Sequence, residues 1–107
     1  MFQYNALTNT YTDRYDFSSS SGSNPQGSLI KASDGNLYGL TSAGGANNDG
    51  VLFQYNPVTS TYTKEVDFAG TSNGATPTGS LLQASDGNLY GMTGVGGVSG
   101  VGVFISI

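Results

Sequence analysis

The 107-residue chain contains no cysteine and no histidine. It therefore has no thiol nucleophile, no imidazole general base, no disulfide and none of the usual zinc or copper ligands. Charged residues make up only 9% of the chain, against roughly 25% in typical soluble domains. Because most enzyme mechanisms depend on the missing residue types, the sequence predicts a protein that is not an enzyme and uses no metal or cofactor.

Positive charge is especially scarce, with three Lys and Arg residues against seven Asp and Glu residues. A nucleic-acid partner would require a basic patch to neutralise phosphates, so we exclude that class of function. No apolar run approaches the ~20 residues that span a bilayer, and the N-terminal segment lacks the charged and apolar regions of a signal peptide. We expect neither a nucleic-acid nor a membrane partner, and the compartment stays open.

Repetition is the main positive feature of the sequence. The segment GSLIKASDGNLYG at residues 27–39 returns as GSLLQASDGNLYG at residues 79–91, and FQYN at residues 2–5 returns at residues 53–56. A period of about 50 residues is typical of repeat arrays and propellers. We therefore expect a single repeat domain over residues 1–107, with repeat 1 at about 2–52 and repeat 2 at about 53–104.

The repeat unit has the pattern of short strands. No segment keeps a helical apolar period, and glycine interrupts the chain throughout. Strands are predicted at residues 27–33, 37–43, 50–56 and 61–68, and the Asp-Gly pair of Asp34-Gly35-Asn36 is typical of a tight hairpin turn. The sequence thus predicts an all-β protein whose unit is four antiparallel strands.

Four hairpin-connected strands followed by a polar segment are typical of one propeller blade, which gives two four-stranded blades per chain. The polar segments 18–26 and 69–78 are predicted loops between blades. Strands predicted at residues 2–5 and 10–17 have no first and second strands before them, and the unit at 79–107 has no fourth strand. Closed propellers need roughly four to eight blades, so we expect a ring closed by oligomerisation, a homotrimer or a homotetramer. A two-sheet sandwich and a piece of a longer array are the alternatives.

The spaced motif of both repeats resembles the GloVer-type tandem repeats of large bacterial surface-anchored proteins, and more distantly kelch blades. The resemblance implies a β-propeller and a parent protein at the bacterial cell surface or secreted, and it carries over no established activity. The kelch likeness favours six blades and hence a trimer. The matching residues of the first copy are Gly27, Leu29, Asp34 to Gly39, Thr41, Gly44, Gly45, Gly50 and Phe53.

Polar residues in the loops suggest a second class of function. In a propeller, the loop after strand two and the loop joining blades lie on one face, where amides and carboxylates could bind sugar hydroxyls. This gives a lectin-like alternative in which several weak sites bind glycans together. The candidate ligand-binding residues are Asn24, Asn47, Asn48, Asp49 and Asn73.

The leading hypothesis is a non-catalytic assembly protein in which a neighbouring chain completes the open blade. Asp34 and Asp86 are expected to cap their own turns rather than bind a cation. Most tyrosines are expected to pack between blades rather than stack on sugars. Burial between blades is predicted, with the second-copy equivalents, for Leu29, Ile30, Leu37, Leu40, Val51, Phe53 and Val66.

Overall fold

The computed structural model describes residues 1–107 and consists of strands, turns and loops. The all-β prediction is confirmed, and no helix long and apolar enough to cross a bilayer is present. The strands are β1 (Phe2–Asn5), β2 (Thr10–Asp13), β3 (Ser23–Lys31), β4 (Leu37–Ala43), β5 (Val51–Asn56), β6 (Thr61–Asp67), β7 (Ala75–Pro77), β8 (Leu82–Gln83), β9 (Leu89–Val95) and β10 (Phe104–Ser106).

The strands form three antiparallel sheets that follow one another along the chain. The N-terminal hairpin consists of β1 and β2, and the middle sheet has the order β3-β4-β5-β6. In the C-terminal sheet, β9 pairs with β10 on one side and with both β7 and β8 on the other. Only the middle sheet therefore has all four strand positions of the predicted unit.

The middle and C-terminal sheets have the same register. Leu40 on β4 lies opposite Leu52 on β5, and Met92 on β9 lies opposite Phe104 on β10. On the other side, Pro25 faces Thr41 in the middle sheet as Pro77 faces Thr93 in the C-terminal sheet. The first three strand positions of the middle sheet thus have structural counterparts in the C-terminal sheet.

The N-terminal hairpin has the register of the β5–β6 hairpin. Residues 2–5 pair with residues 10–13 in the same order in which residues 53–56 pair with residues 61–64. Their turns also match, because Asn5 and Asn56 each accept two backbone N–H groups from the residues that follow. β1 and β2 are therefore counterparts of the third and fourth strands of the middle sheet.

Several predicted boundaries are wrong. The first strand begins at Ser23 rather than residue 27, inside the predicted loop 18–26, and the loop 69–78 likewise contains β7. Pro25 has no backbone N–H, and it is tolerated because β3 is an edge strand whose outward side needs no donor. The register with β4 shifts between Gln26 and Ile30. The strand predicted at 10–17 ends at Asp13, and the following residues cross to the middle sheet.

The core lies between the middle and C-terminal sheets. A cluster that we call the internal junction consists of Leu40, Leu52, Phe68 and Leu81, each at most 6% exposed. Leu40 and Leu52 come from the middle sheet and Leu81 precedes β8, so the cluster joins one sheet to the next. Packed around it are Ile30, Tyr38, Val66 and Ile105.

Candidate functional site

The loop between β4 and β5 uses its polar groups to fix its own backbone. The Asn47 side-chain amide donates to the carbonyl of Phe68 at 3.1 Å, and the Asn48 side-chain oxygen accepts the N–H of Gly44 at 2.9 Å. Asn48 also has a φ of 57°, a left-handed conformation that asparagine tolerates. Both predicted ligand residues thus have an identified structural role in this loop.

Asp67 anchors the same loop from the end of β6. Its carboxylate accepts the N–H of Ala46 at 2.9 Å and lies 3.2 Å from the ammonium group of Lys64. The Ala46 N–H, and secondarily Lys64, hold the pKa of the Asp67 carboxyl below its usual value. A charged acceptor on β6 therefore positions the loop after β4.

The third predicted loop residue, Asn73, lies beside the same strand end. Its side-chain oxygen accepts the N–H of Ala69 at 2.7 Å, and its amide donates to the carbonyl of Asp67 at 3.3 Å. Asp49 is close by, since its backbone carbonyl accepts the N–H of Thr76 at 2.8 Å. The structure thus brings Asn47, Asp49 and Asn73 together around the end of β6.

Asn24 is the one candidate of the five that lies in a strand. It lies on β3 with a φ of 54°, is exposed, and accepts the hydroxyl of Ser42 at its backbone carbonyl, 3.1 Å away. No hydrogen bond joins it to Asn47, Asn48, Asp49 or Asn73. The sugar-binding role of these five residues stays a prediction.

The Asp-Gly-Asn turn is closed by a carboxylate. Asp34 accepts the N–H of Asn36 at 2.9 Å and the hydroxyl of Tyr38 at 2.7 Å. The two hydrogen bonds lower the pKa of the Asp34 carboxyl, and the bond from Tyr38 has the larger effect. Burial, and to a smaller extent the neighbouring Asp34, raises the pKa of Tyr38 to about 12. Asp86 makes the same bonds in the second repeat. The expected turn-capping role is observed, and no group of three or more acidic residues that could hold a metal ion is present.

Apolar side chains that are buried in the internal junction have exposed counterparts on the C-terminal sheet. Leu40 is 2% exposed and its counterpart Met92 is 64% exposed, while Leu52 is 0% exposed and its counterpart Phe104 is 70% exposed. Leu82, the counterpart of Ile30, is also exposed. We call Leu82, Met92 and Phe104 the exposed strip.

Counterparts of Phe68 and Leu81 line a cavity at the opposite face of the middle sheet. Phe17, the counterpart of Phe68, packs edge-on against Phe53 with ring centroids 5.2 Å apart. Beside them, a cavity of about 410 Å³ is lined by Met1, Phe2, Phe17, Leu29 and Phe53 among others. Leu29 is the counterpart of Leu81, which packs against Leu40 in the internal junction. The cavity therefore lies beside Leu29 at the position that Leu40 occupies beside Leu81. We call this region the receiving cavity.

Strand β3 of the first repeat also contacts the segment between β7 and β8 of the second repeat. The N–H of Ser28 donates to the hydroxyl of Ser80 at 2.9 Å, and a side chain on Gly27 would overlap the carbonyl oxygen of Gly79. Nothing lies within 4 Å of the corresponding position on Gly79. The equivalent glycines Gly27 and Gly79 thus differ in their surroundings, since Gly27 contacts the other repeat and Gly79 faces open space.

A comparison with protein families matches the whole chain, residues 1–107, to the family model described as Gloeobacter/Verrucomicrobia repeat. No curated protein and no solved structure matches the chain.

Proposed function

The chain belongs to the Gloeobacter/Verrucomicrobia repeat family, and on that premise we propose that it is a non-catalytic β-propeller protein that assembles from copies of itself. In this proposal the middle sheet is a complete propeller blade, the C-terminal sheet is a blade without its fourth strand, and the N-terminal hairpin carries that fourth strand for a neighbouring copy. The exposed strip of one copy packs on the receiving cavity of the next copy. The function is structural, and the partner is a second copy of the same chain.

The observation that carries the proposal is the pairing of exposed and buried counterparts. In the internal junction, Leu40 fills the space beside Phe68 and Leu81. Met92 offers the same kind of side chain at the exposed strip, and the receiving cavity has the counterparts of the other two residues, Phe17 and Leu29. Burial of large apolar side chains stabilises an interface by roughly 25 cal/mol per Å² removed from water, so both surfaces favour this contact.

Repetition of one junction around an axis gives a closed ring. The contact is head-to-tail, because the strip and the cavity are different surfaces, and such a contact closes when its rotation divides the circle. With two blades per chain, three copies make six blades and four copies make eight, both within the usual range of propellers. We favour the trimer.

The fourth strand of the C-terminal sheet comes from the neighbouring copy in this proposal. In the middle sheet, β6 is fixed by Tyr62, whose hydroxyl donates to the carbonyl of Ser21 at 2.6 Å. Its counterpart on β2 is Tyr11, which is 65% exposed, and the counterpart of Ser21 is Asn73. β2 of one copy therefore carries the aromatic anchor that the C-terminal sheet of another copy lacks.

Deletion of residues 1–17 tests the proposal. The truncated chain keeps the middle and C-terminal sheets but loses β2, Tyr11 and Phe17, so we expect a monomer where the full chain forms a ring. Sedimentation velocity measures the change, and circular dichroism checks that the truncated chain is folded. A folded truncated chain with the oligomeric state of the full chain would contradict strand completion.

A further inference from the structure

Two strands of this chain correspond to the same position in the blade. Ile105 on β10 and Phe2 on β1 are both counterparts of Phe53 on β5, as the shared registers require. β10 occupies the third position of the C-terminal sheet, next to the open fourth position. β2, the strand that would fill that fourth position, already has β1 on the edge that must pair with β10.

We propose that β1 is an intramolecular placeholder, which protects the pairing edge of β2 in the free chain and is displaced by β10 of the neighbouring copy. This inference rests on the proposed assembly and specifies how it is regulated. β1 and β10 cannot both pair with that one edge of β2, so one of them must leave its position when the blade is completed.

β1 has fewer contacts that displacement would break than β10 has. All four of its residues are exposed in the free chain, including Phe2 at 66% and Tyr4 at 54%. Outside its ladder with β2, this end of the chain makes backbone hydrogen bonds only at Met1. The Met1 carbonyl accepts the N–H groups of Arg14 and Tyr15, and the Met1 ammonium group donates to the carbonyl of Tyr15. Displacement of β1 therefore removes little buried apolar area.

β10 is tied more firmly to its sheet. Ile105 packs against the internal junction, and Ile107 exchanges two backbone hydrogen bonds with the buried Leu89, at 2.7 and 2.8 Å. Val103, just before the strand, is held by Thr93 through bonds of 2.9 Å in both directions. Removal of β10 would uncover part of the core.

The packing around β1 also favours its replacement by β10. Met1 and Phe2 line the receiving cavity, and Met1, Phe2 and Gln3 line a second cavity of about 230 Å³. The counterpart of Met1 in the middle sheet is Leu52, which is fully buried. Phe104 is larger than Met1 and would take this position when β10 replaces β1. Exchange thus buries an exposed phenylalanine in a region that β1 leaves loosely packed.

A disulfide across the hairpin tests the exchange directly, because the chain has no cysteine of its own. Gln3 lies opposite Thr12 on β1 and β2, so Gln3→Cys with Thr12→Cys joins these strands when oxidised. The matched control is Gln54→Cys with Thr63→Cys, the counterpart pair on β5 and β6, which the assembly does not separate. Both variants are measured by native mass spectrometry under oxidising and reducing conditions.

We expect oxidised Gln3→Cys with Thr12→Cys to lose the oligomer and run as an 11.0 kDa chain, and the reduced form to regain it. The control should form the oligomer in both states. An oligomer that forms equally well with the hairpin locked would overturn the placeholder together with strand completion, and would leave the contact between the exposed strip and the receiving cavity standing. A wild-type chain that remains monomeric would overturn both.

Discussion

Leu40 and Met92 occupy the same position in two successive sheets, and the exposed fraction of the side chain is 2% at Leu40 and 64% at Met92. Since the two backbones have the same register, the difference comes from the neighbour, not from the strand. Leu40 packs against the next sheet through Leu81, and Met92 has no next sheet to pack against. A second copy of the chain supplies that neighbour in our account.

Polar substitution should separate folding from assembly at this pair. Met92→Ser removes an exposed apolar side chain, so we expect the free chain to keep its stability within about 0.5 kcal/mol and the oligomer to be lost. Leu40→Ser, the matched control, should lower the free energy of unfolding by about 2–5 kcal/mol because it opens the core. Urea denaturation and native mass spectrometry measure both effects. An unchanged oligomer in Met92→Ser would contradict the assigned interface.

Glycines at the strand contact give a second test. Gly27→Ala places a methyl group against the Gly79 carbonyl at a φ of 69°, so we expect the fold itself to lose more than about 1 kcal/mol. Gly79→Ala has open space around it in the free chain, at a φ of 80°, and would meet Gly27 only in the neighbouring copy. We therefore expect a smaller loss of stability but a loss of the oligomer in Gly79→Ala.

The control for backbone strain alone is Gly35→Ala, because its φ is 86° and nothing lies within 4 Å of the added methyl group. Thermal denaturation of Gly27→Ala, Gly79→Ala and Gly35→Ala distinguishes the cost of the clash between Gly27 and Gly79 from the cost of backbone strain alone. If Gly35→Ala and Gly79→Ala both assemble as the wild type does, the strand contact between copies is absent.

Acid should dissociate the oligomer through Asp16, the counterpart of Asp67. In the free chain, the pKa of Asp16 is raised above its usual value, mainly by a hydrogen bond with the Asp13 side chain and secondly by charge repulsion between the two carboxyl groups. In the assembled blade Asp16 would accept the N–H of Val98, as Asp67 accepts that of Ala46, which lowers the pKa. The assembled state then binds fewer protons, so assembly is favoured above the free-chain pKa and weakens as the pH falls through it.

Sedimentation velocity across the acid range measures this dependence, and Asp16→Asn should flatten it. Asp34→Asn is the control, because Asp34 keeps its partners Asn36 and Tyr38 within one chain. A pH profile that Asp16→Asn leaves unchanged would remove Asp16 from the interface.

Substitution of the loop amides should affect folding. Asn73→Ala removes two hydrogen bonds to the backbone of Ala69 and Asp67, and we expect it to cost about 1–2 kcal/mol of stability. Asn24→Ala removes an exposed side chain with no such bonds, so its expected cost is limited to about 1 kcal/mol of backbone strain at a φ of 54°. A glycan array tests the lectin-like alternative. Binding that Asn24→Ala abolishes would favour that alternative, and silence across neutral and acidic sugars would exclude it.

Much of the repeat could be predicted from the sequence because its signals are local. The Asp34-Gly35 pair predicted a turn whose glycine has a φ of 86°, and the strand predicted at residues 37–43 has those bounds in the structure. The start of β3 at Ser23 was missed because polar residues and Pro25 are typical of a loop. Their strand conformation depends on pairing with β4, which is a contact distant in sequence.

Burial was predicted less well than strand positions, for a related reason. Leu29, predicted to be buried, is 43% exposed, and Tyr4 and Tyr11 are exposed although their counterparts Tyr55 and Tyr62 are buried or half-buried. Identical motifs cannot reveal which copy has a neighbour. The shared position of β1 and β10 likewise depends on register, which sequence periodicity gives only approximately.

Native mass spectrometry of the unmodified chain at micromolar concentration tests the central proposal most directly. A closed six-bladed ring has three times the chain mass of 11.0 kDa, and we expect a single species of that mass, or of four times the chain mass if the ring has eight blades. A folded species at 11.0 kDa with no larger form would contradict it, because the exposed strip and the receiving cavity would then not recognise each other.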